Sequence, residues 1–248
     1  MSTLTGLPSP SSMRPPSLAG TASVVTGGGT GIGAALAGAL ADHGATVWLV
    51  GRREGPLRET AAAIGDAARV YAGDITDPAA MAGLADAVAG EFDALHTLVN
   101  NASILGPRAE LEQVSLAEFE QVLRINGVGT FVATKALLPL LKAAGGANVV
   151  TLSSSVGRAG RATWGPYAAS KFVQECLSQV WAEELAEHGV RCNAINPGGT
   201  RTAMRAEAKP DEDPMTLPTP ETIVPSLLYL LSPDAAEITG CSIDARDF

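Results

Sequence analysis

Three features of this sequence predict an α/β fold, a single doubly wound domain with a parallel sheet of about seven strands and helices on both faces. Short apolar, β-branched runs alternate with helix-forming segments six times, and a strand-like tail follows. Such alternation forces crossover connections, and crossovers make neighbouring strands parallel. The 248 residues, 46% hydrophobic and 17% charged, suit one well-buried domain. The first strand-like run also passes through a glycine-rich turn directly into a helix-forming run.

The elements follow in order. Residues 21–26 read as a strand, and residues 34–41 as a strongly helix-forming run. Between them stand Gly27, Gly28, Gly29, Thr30, Gly31, Ile32 and Gly33. Isolated glycines mark only a tight turn. Between a strand and a helix they let the backbone approach a pyrophosphate, which the helix N-terminus also attracts. Residues 45–50 form the second strand, ending at Gly51, Arg52 and Arg53. An acidic residue there would bond the adenosine ribose and repel a 2′-phosphate. Two guanidiniums favour the phosphate, so NADP(H) is the expected cofactor and NAD(H) the alternative; two solvated surface arginines are the plainer reading.

Residues 59–64 read as helix and 68–72 as strand, with Asp74 and Ile75 at its end. An alanine-rich helix over 78–91 starts at Thr76-Asp77-Pro78. The fourth strand spans 95–99, and its loop is Asn100-Asn101-Ala102-Ser103. Residues 116–141 carry helical periodicity, interrupted near Asn126-Gly127. Local sequence allows either a kink or a break between two short helices. Residues 148–152 form the fifth strand, 190–195 the sixth, 225–231 a helix and 240–243 a short last strand. Between them, the polar segment 201–220 holds Pro210, Pro214, Pro218 and Pro220 and is either a lid over a pocket or an ordered surface excursion.

The chemistry centres on the end of the fifth strand and the helix after it. Ser153, Ser154 and Ser155 end the strand, and Tyr167 and Lys171 come next on a helix continued over 172–188 and ended by Gly189. Four residues apart, Tyr167 and Lys171 share a helical face. An ammonium beside a phenol favours the phenolate, which suits the phenol to proton exchange with an alcohol or carbonyl. A serine hydroxyl from the strand end would hold the same oxygen. An ordinary surface Tyr and Lys is the reading that applies if nothing else in the chain supports chemistry.

The net charge of −9 argues against nucleic acid or an anionic membrane as partner. Cys176, Cys192 and Cys241 have no metal spacing, nor do His43, His96 and His188, so no metal site is expected. The thiols read as mostly buried, in a reducing compartment, and the expected location is the cytoplasm. No apolar run approaches the ~18 residues of a membrane span. Residues 1–17, rich in Pro and Ser, read as a flexible leader before a domain over 18–248.

Together, the Thr26–Gly33 turn, Asn100-Asn101-Ala102, Ser154, Tyr167-x-x-x-Lys171 and Pro197-Gly198 resemble the short-chain dehydrogenase/reductase family over roughly residues 20–243. The runs 153–158 and 196–204 look closest to a bacterial subgroup of oxidoreductases within it. The resemblance implies a Rossmann-like fold. It also implies that Tyr167 is the general acid/base, that Lys171 lowers its pKa and bonds the nicotinamide ribose, and that Ser154 orients the substrate oxygen. Ser153 and Ser155 remain flanking candidates. Asn126 would hold a relay water at a helix kink. Gly27, Thr30, Gly31, Ile32 and Gly33 would line the phosphates, Asp74 and Ile75 would face adenine, and Asn101 the nearby ribose. Pro197, Gly198 and Thr200 would shape the nicotinamide pocket. Ile104 and Leu105 are candidate apolar pocket walls; Trp164 is either a pocket floor or a core or interface residue. Arg158 and Arg161 are surface, subunit or substrate contacts. The end of the chain lacks the paired glycines usual after Asp244, which puts family-like packing of the C-terminus in question. The implied activity is hydride transfer between an alcohol/carbonyl pair and NADP(H), by a homo-oligomer, a tetramer or a dimer. Alternatives are C=C or C=N reduction on the same scaffold, or dinucleotide sensing without turnover.

Overall fold

The computed structural model describes Arg14 and residues 16–247, without the Asp247 side chain. Seven strands form one sheet: β1 (Ala22–Thr26), β2 (Thr46–Gly51), β3 (Ala68–Ala72), β4 (Thr97–Asn100), β5 (Asn148–Leu152), β6 (Arg191–Asn196) and β7 (Ser242–Asp244). Their order is β3-β2-β1-β4-β5-β6-β7, and every neighbouring pair is parallel. Winding turns back between β1 and β4, and ligand clefts of such sheets open at that point, beyond the strands' C-terminal ends.

The helices are α1 (Gly31–Asp42), α2 (Glu54–Ile64), α3 (Pro78–Ala89), α4 (Leu116–Val122), α5 (Gly129–Ala143), α6 (Gly165–Glu184), α7 (Ala203–Ala208) and α8 (Val224–Leu231). Successive strand residues point to opposite faces, so each sheet face has its own core. Val25, Leu49, Val150 and Ile195 pack with Leu36 and Leu40 of α1, Leu57 of α2 and Leu227 of α8. Their neighbours Val24, Trp48, Val149 and Cys192 pack with Leu84 of α3, Leu137 of α5 and Trp181 of α6. Each such fully buried side chain contributes about 1.5–3 kcal/mol.

Several expectations need correction. Residues 116–141 hold no break: α4 continues into α5 through a π-helical stretch, Leu123–Val128. The wider turn exposes the Asn126 carbonyl to side-chain donors from Thr130 and Gln174. Helix α2 begins at Glu54 rather than Glu59, because Pro56 in a first helical turn has no N–H that needs a partner. The 201–220 segment carries α7 and a 3₁₀ turn, Pro214–Thr216. Its Arg201 donates to the carbonyls of Pro214 (2.9 Å) and Leu217 (3.0 Å). Most of the expected leader lies outside the described residues, but Arg14 donates through Nε (2.9 Å) and Nη2 (2.6 Å) to Asp234. Only Cys192 is a buried thiol; Cys176 is exposed on α6. The C-terminus packs without the glycine pair, since β7 pairs with β6 and Asp244 accepts from Arg158 (2.6 Å) and from the Asn196 amide.

Candidate active site

The strand ends open on one cleft of about 530 Å³. At one end lies the glycine turn, where Gly27, Thr30, Gly31 and Ile32 line the wall. Thr30 begins α1 without a side-chain capping bond, and the first turn holds no acid. The N–H groups there are open to an anion, which is what a dinucleotide phosphate needs. Gly33 does not line the cleft, contrary to expectation. A Cβ on it would stand 2.1 Å from the Gly27 carbonyl oxygen and 2.5 Å from Asn101 Nδ2. Its bareness lets α1 close on the turn. Asn101 lines the cleft while its amide donates to the Thr26 and Gly27 carbonyls, both at 3.1 Å, so it fastens the turn as well.

Arg52 and Arg53 follow β2 on the cleft wall, exposed. Arg53 is the N-cap of α2 and makes no capping bond. Asp74 and Ile75 close the same end beyond β3; Asp74 Oδ1 accepts from the Thr76 N–H at 2.8 Å.

Strand β5 and helix α6 bring the expected reacting groups to the middle of the cleft. Ser153 and Ser154 both line it; Ser155 starts a 3₁₀ turn and does not. The Ser154 hydroxyl accepts only a long bond, 3.4 Å, from the Val156 N–H, whereas Ser153 is buried. Ser154 is therefore the more available hydroxyl. Tyr167 and Lys171 lie on the first turns of α6, both buried and both on the cleft wall. Lys171 Nζ donates to the Leu152 carbonyl (2.7 Å) and to Gln174 Oε1 (2.8 Å), and stands 5.3 Å from the centre of the Tyr167 ring. Burial pushes the Tyr167 phenol well above its usual range and brings the Lys171 ammonium down to about 7, with Glu175 opposing the latter shift. Burial thus moves the tyrosine opposite to the lowering expected from the ammonium.

Asn126, fully buried, does not line the cleft. Its amide clamps Ile104, accepting from the N–H (2.8 Å) and donating to the carbonyl (2.9 Å), and donates to Ser170 Oγ (2.9 Å). Its own carbonyl accepts from Gln174 Nε2 (3.0 Å) and Thr130 Oγ1 (2.7 Å). Both lone pairs of that carbonyl are taken by protein donors. Gln174 connects Lys171 to Asn126, accepting from the one and donating to the other.

A family model described as short chain dehydrogenase matches residues 21–213. The chain is a short-chain dehydrogenase. "Uncharacterized oxidoreductase YciK" of Escherichia coli (strain K12) is 42% identical over 229 residues, 90% of each chain. A "3-alpha-(or 20-beta)-hydroxysteroid dehydrogenase" of Mycobacterium tuberculosis is 35% identical over 187 residues, 75% of this chain and 72% of that protein. A short chain dehydrogenase structure from Shigella flexneri 2a str. 301, complexed with NADP, is 40% identical with a TM-score of 0.89, covering 94% of this chain and 100% of that one. The dehydrogenase is thus an oxidoreductase of a YciK-like group, with a seven-stranded Rossmann-like domain. Among the described residues, no helix is long and apolar enough to cross a membrane.

At the far end of the dehydrogenase's cleft, Pro197, Gly198 and Thr200 follow β6. Gly198 has φ +68°, and a Cβ there would meet Arg246 Nε at 2.7 Å, so the loop requires glycine. Ile104, Leu105 and Trp164 line the wall. The sequence reading missed Met204, Arg205 and Ala208 of α7, which complete it. It also missed Arg108, whose guanidinium lies 3.7 Å from the centre of the Trp164 ring. Arg108 donates to the Thr163 carbonyl (3.0 Å), Thr163 Oγ1 (3.0 Å) and the Ala208 carbonyl (2.9 Å). These bonds hold Thr163 at φ +67°, unfavourable for a β-branched residue, and so fix Trp164 as a cleft wall. No local signal marks Arg108, since its partners lie far along the chain.

Proposed function

We propose that the enzyme is an NADP-dependent oxidoreductase of an alcohol/carbonyl pair, with Tyr167 as the proton donor and acceptor. The observation that carries this reading is the meeting of Ser154, Tyr167 and Lys171 in one cleft with an uncapped helix N-terminus and two exposed arginines. The phosphate-sized cradle at the α1 N-terminus fits a dinucleotide, and the arginines fit a 2′-phosphate. NADP is bound by the Shigella flexneri relative. When bound, the nicotinamide supplies or accepts the hydride.

In the reducing direction, the Ser154 hydroxyl donates to the substrate carbonyl oxygen and Tyr167 gives its proton to that oxygen as the alcohol forms. In oxidation the proton returns to Tyr167. Lys171, with two donors engaged by Leu152 and Gln174, keeps its remaining donor for the cleft, where the nicotinamide ribose would accept it. Asn101, Asp74 and Ile75 would border the adenosine, and Pro197, Gly198 and Thr200 the nicotinamide. The 201–220 segment would cover the substrate, through Met204 and Ala208. Asn126 supports the site by fixing Ile104, and Gly33 by letting α1 close. An exposed thiol, Cys176, suits a reducing compartment, and we place the enzyme in the cytoplasm.

A homo-oligomer, a tetramer or a dimer, belongs to the same reading. Exposed Phe172, Val173 and Val180 on α6 and Phe131 on α5 leave apolar surface on the helices that flank β5. Leu185, just after α6, is a core residue. Light scattering at micromolar concentration tests it, and particles of only about 25 kDa would contradict assembly. The activity is tested by screening a panel of aldehydes, ketones and alcohols for NADPH oxidation or NADP⁺ reduction. Failure of every compound, with cofactor binding intact, would defeat the carbonyl reading.

A further inference from the structure

We infer that the substrate is uncharged, a hydrocarbon-rich ketone or secondary alcohol, and that Glu212 enforces this by occupying Arg205. This rests on the alcohol/carbonyl reading above and adds the substrate's chemical class.

The substrate end of the cleft is one apolar cluster. Leu105, Val156, Ala208 and the Tyr167 ring are buried together, with Trp164 and Met204 packed against them. Nothing in that wall can replace the water around a charged group. The charged residues lining the cleft are Arg52, Arg53 and Asp74 beyond β2 and β3, Lys171 in the middle, and Arg205 beyond β6. The first three stand at the opposite end of the strand order, and Lys171 is engaged by Leu152 and Gln174. Arg205 alone is placed to receive a substrate carboxylate.

Arg205 is already occupied. Its Nε and Nη2 donate to the two oxygens of Glu212 at 2.6 Å and 2.7 Å, a bidentate pair. The bond to Glu212 raises the pKa of Arg205, and the bond to Arg205 holds the Glu212 carboxyl below its usual range. The guanidinium lies over the loop after β6, where a Cβ on Gly199 would be 3.3 Å from Arg205 Cζ. Two other guanidiniums stand in the region: Arg108 is flat on Trp164 and bonded to Thr163 and Ala208, and Arg246, which does not line the cleft, donates to the Gly199 carbonyl (2.7 Å). A carboxylate entering here shares a guanidinium whose charge Glu212 already offsets, and loses its water against hydrocarbon. A neutral ketone of the same shape meets neither obstacle. Selectivity therefore comes from an element that refuses the anion as well as from a wall that accepts the hydrocarbon.

The test uses two ketones of one skeleton, 4-oxocyclohexanecarboxylate and its methyl ester, with NADPH at neutral pH. Should this ring not be reduced, the pair is built on whichever ketone of the panel is. For the wild type, kcat/KM for the ester should exceed that for the carboxylate by about ten- to hundredfold, the worth of one charge-assisted hydrogen bond. Glu212→Gln removes the charge that offsets the guanidinium and should narrow that ratio by about tenfold. Glu212→Ala, which leaves no side chain to reach Arg205, should narrow it as well, and circular dichroism checks that both variants are folded. A wild-type ratio near one, or favouring the carboxylate, overturns the inference while leaving the carbonyl reading standing. A ratio unmoved by both substitutions removes Glu212 from it. Failure of every carbonyl compound in the panel overturns the carbonyl reading and this inference together.

Discussion

Arg52→Ala is expected to erase most of the enzyme's preference for NADPH over NADH. Arg52 follows β2 at the cleft wall, exposed, and Arg53 beside it caps α2 with no side-chain bond. Among the described residues neither guanidinium is held by a protein partner, so both are open to a phosphate. The nearby acid, Glu54, is already bonded to Arg58 Nε at 2.9 Å and so opposes the phosphate little. A hydrogen bond to a charged group contributes about 1.5–3 kcal/mol. Because the arginines are exposed, the lower end applies: about 1.5 kcal/mol for Arg52, close to tenfold in Kd. The α2 N-terminus adds about 0.3–1 kcal/mol for an anion placed on it. The wild type should therefore bind NADPH about ten- to fiftyfold more tightly than NADH. Arg52→Ala should weaken NADPH by about tenfold and leave NADH within about twofold. The preference should also shrink between about 0.01 and 0.5 M salt, as the Debye length falls from about 30 Å to a few ångströms. Titrating nicotinamide fluorescence with wild-type and variant protein measures both constants without a substrate. Equal wild-type affinities, or equal losses for the two cofactors in the variant, would refute the reasoning.

Three other outcomes are expected from the same geometry. Tyr167→Phe keeps the ring and removes the proton, so kcat for any true substrate should fall by at least ~10²-fold while the NADPH Kd stays within about twofold; unaltered turnover would remove Tyr167 from the chemistry. Lys171, brought by burial from 10.5 to about 7, makes the unfolded chain bind more protons than the folded one between those values. Its contribution makes stability rise with pH from about 7 to 10.5 and adds no slope below 7. Lys171→Met should flatten the rise of Tm across that window, and an unchanged slope would show that the lysine is not desolvated. Gly33→Ala forces a Cβ against the Gly27 carbonyl and should cost about 1–3 kcal/mol, read as a lower denaturant midpoint; an unchanged midpoint would refute the close approach of α1 to its turn.

What the sequence determined by itself is local in origin. Strand runs such as 148–152 are short, apolar and β-branched, and the segments between them are helix-forming, so the alternation of elements was readable without contacts. The turn from Gly27 to Gly33, and Tyr167 four residues before Lys171, are short-range patterns, and their resemblance to a known family carried the site roles. Tertiary structure alone decided the partners. Gln174 meets Asn126 across 48 positions, Arg108 meets Thr163 across 55, and Asn101 reaches back 74 to Gly27. Such pairs exist because α5, α6 and the loops beyond the strand ends pack around one sheet, and no spacing rule encodes them. For the same reason the structure separated Ser154 from Ser153 by exposure and from Ser155 by its place on the cleft wall, and kept Gly33 off that wall. It also set burial against charge at Lys171, because desolvation depends on what surrounds a group in space rather than along the chain.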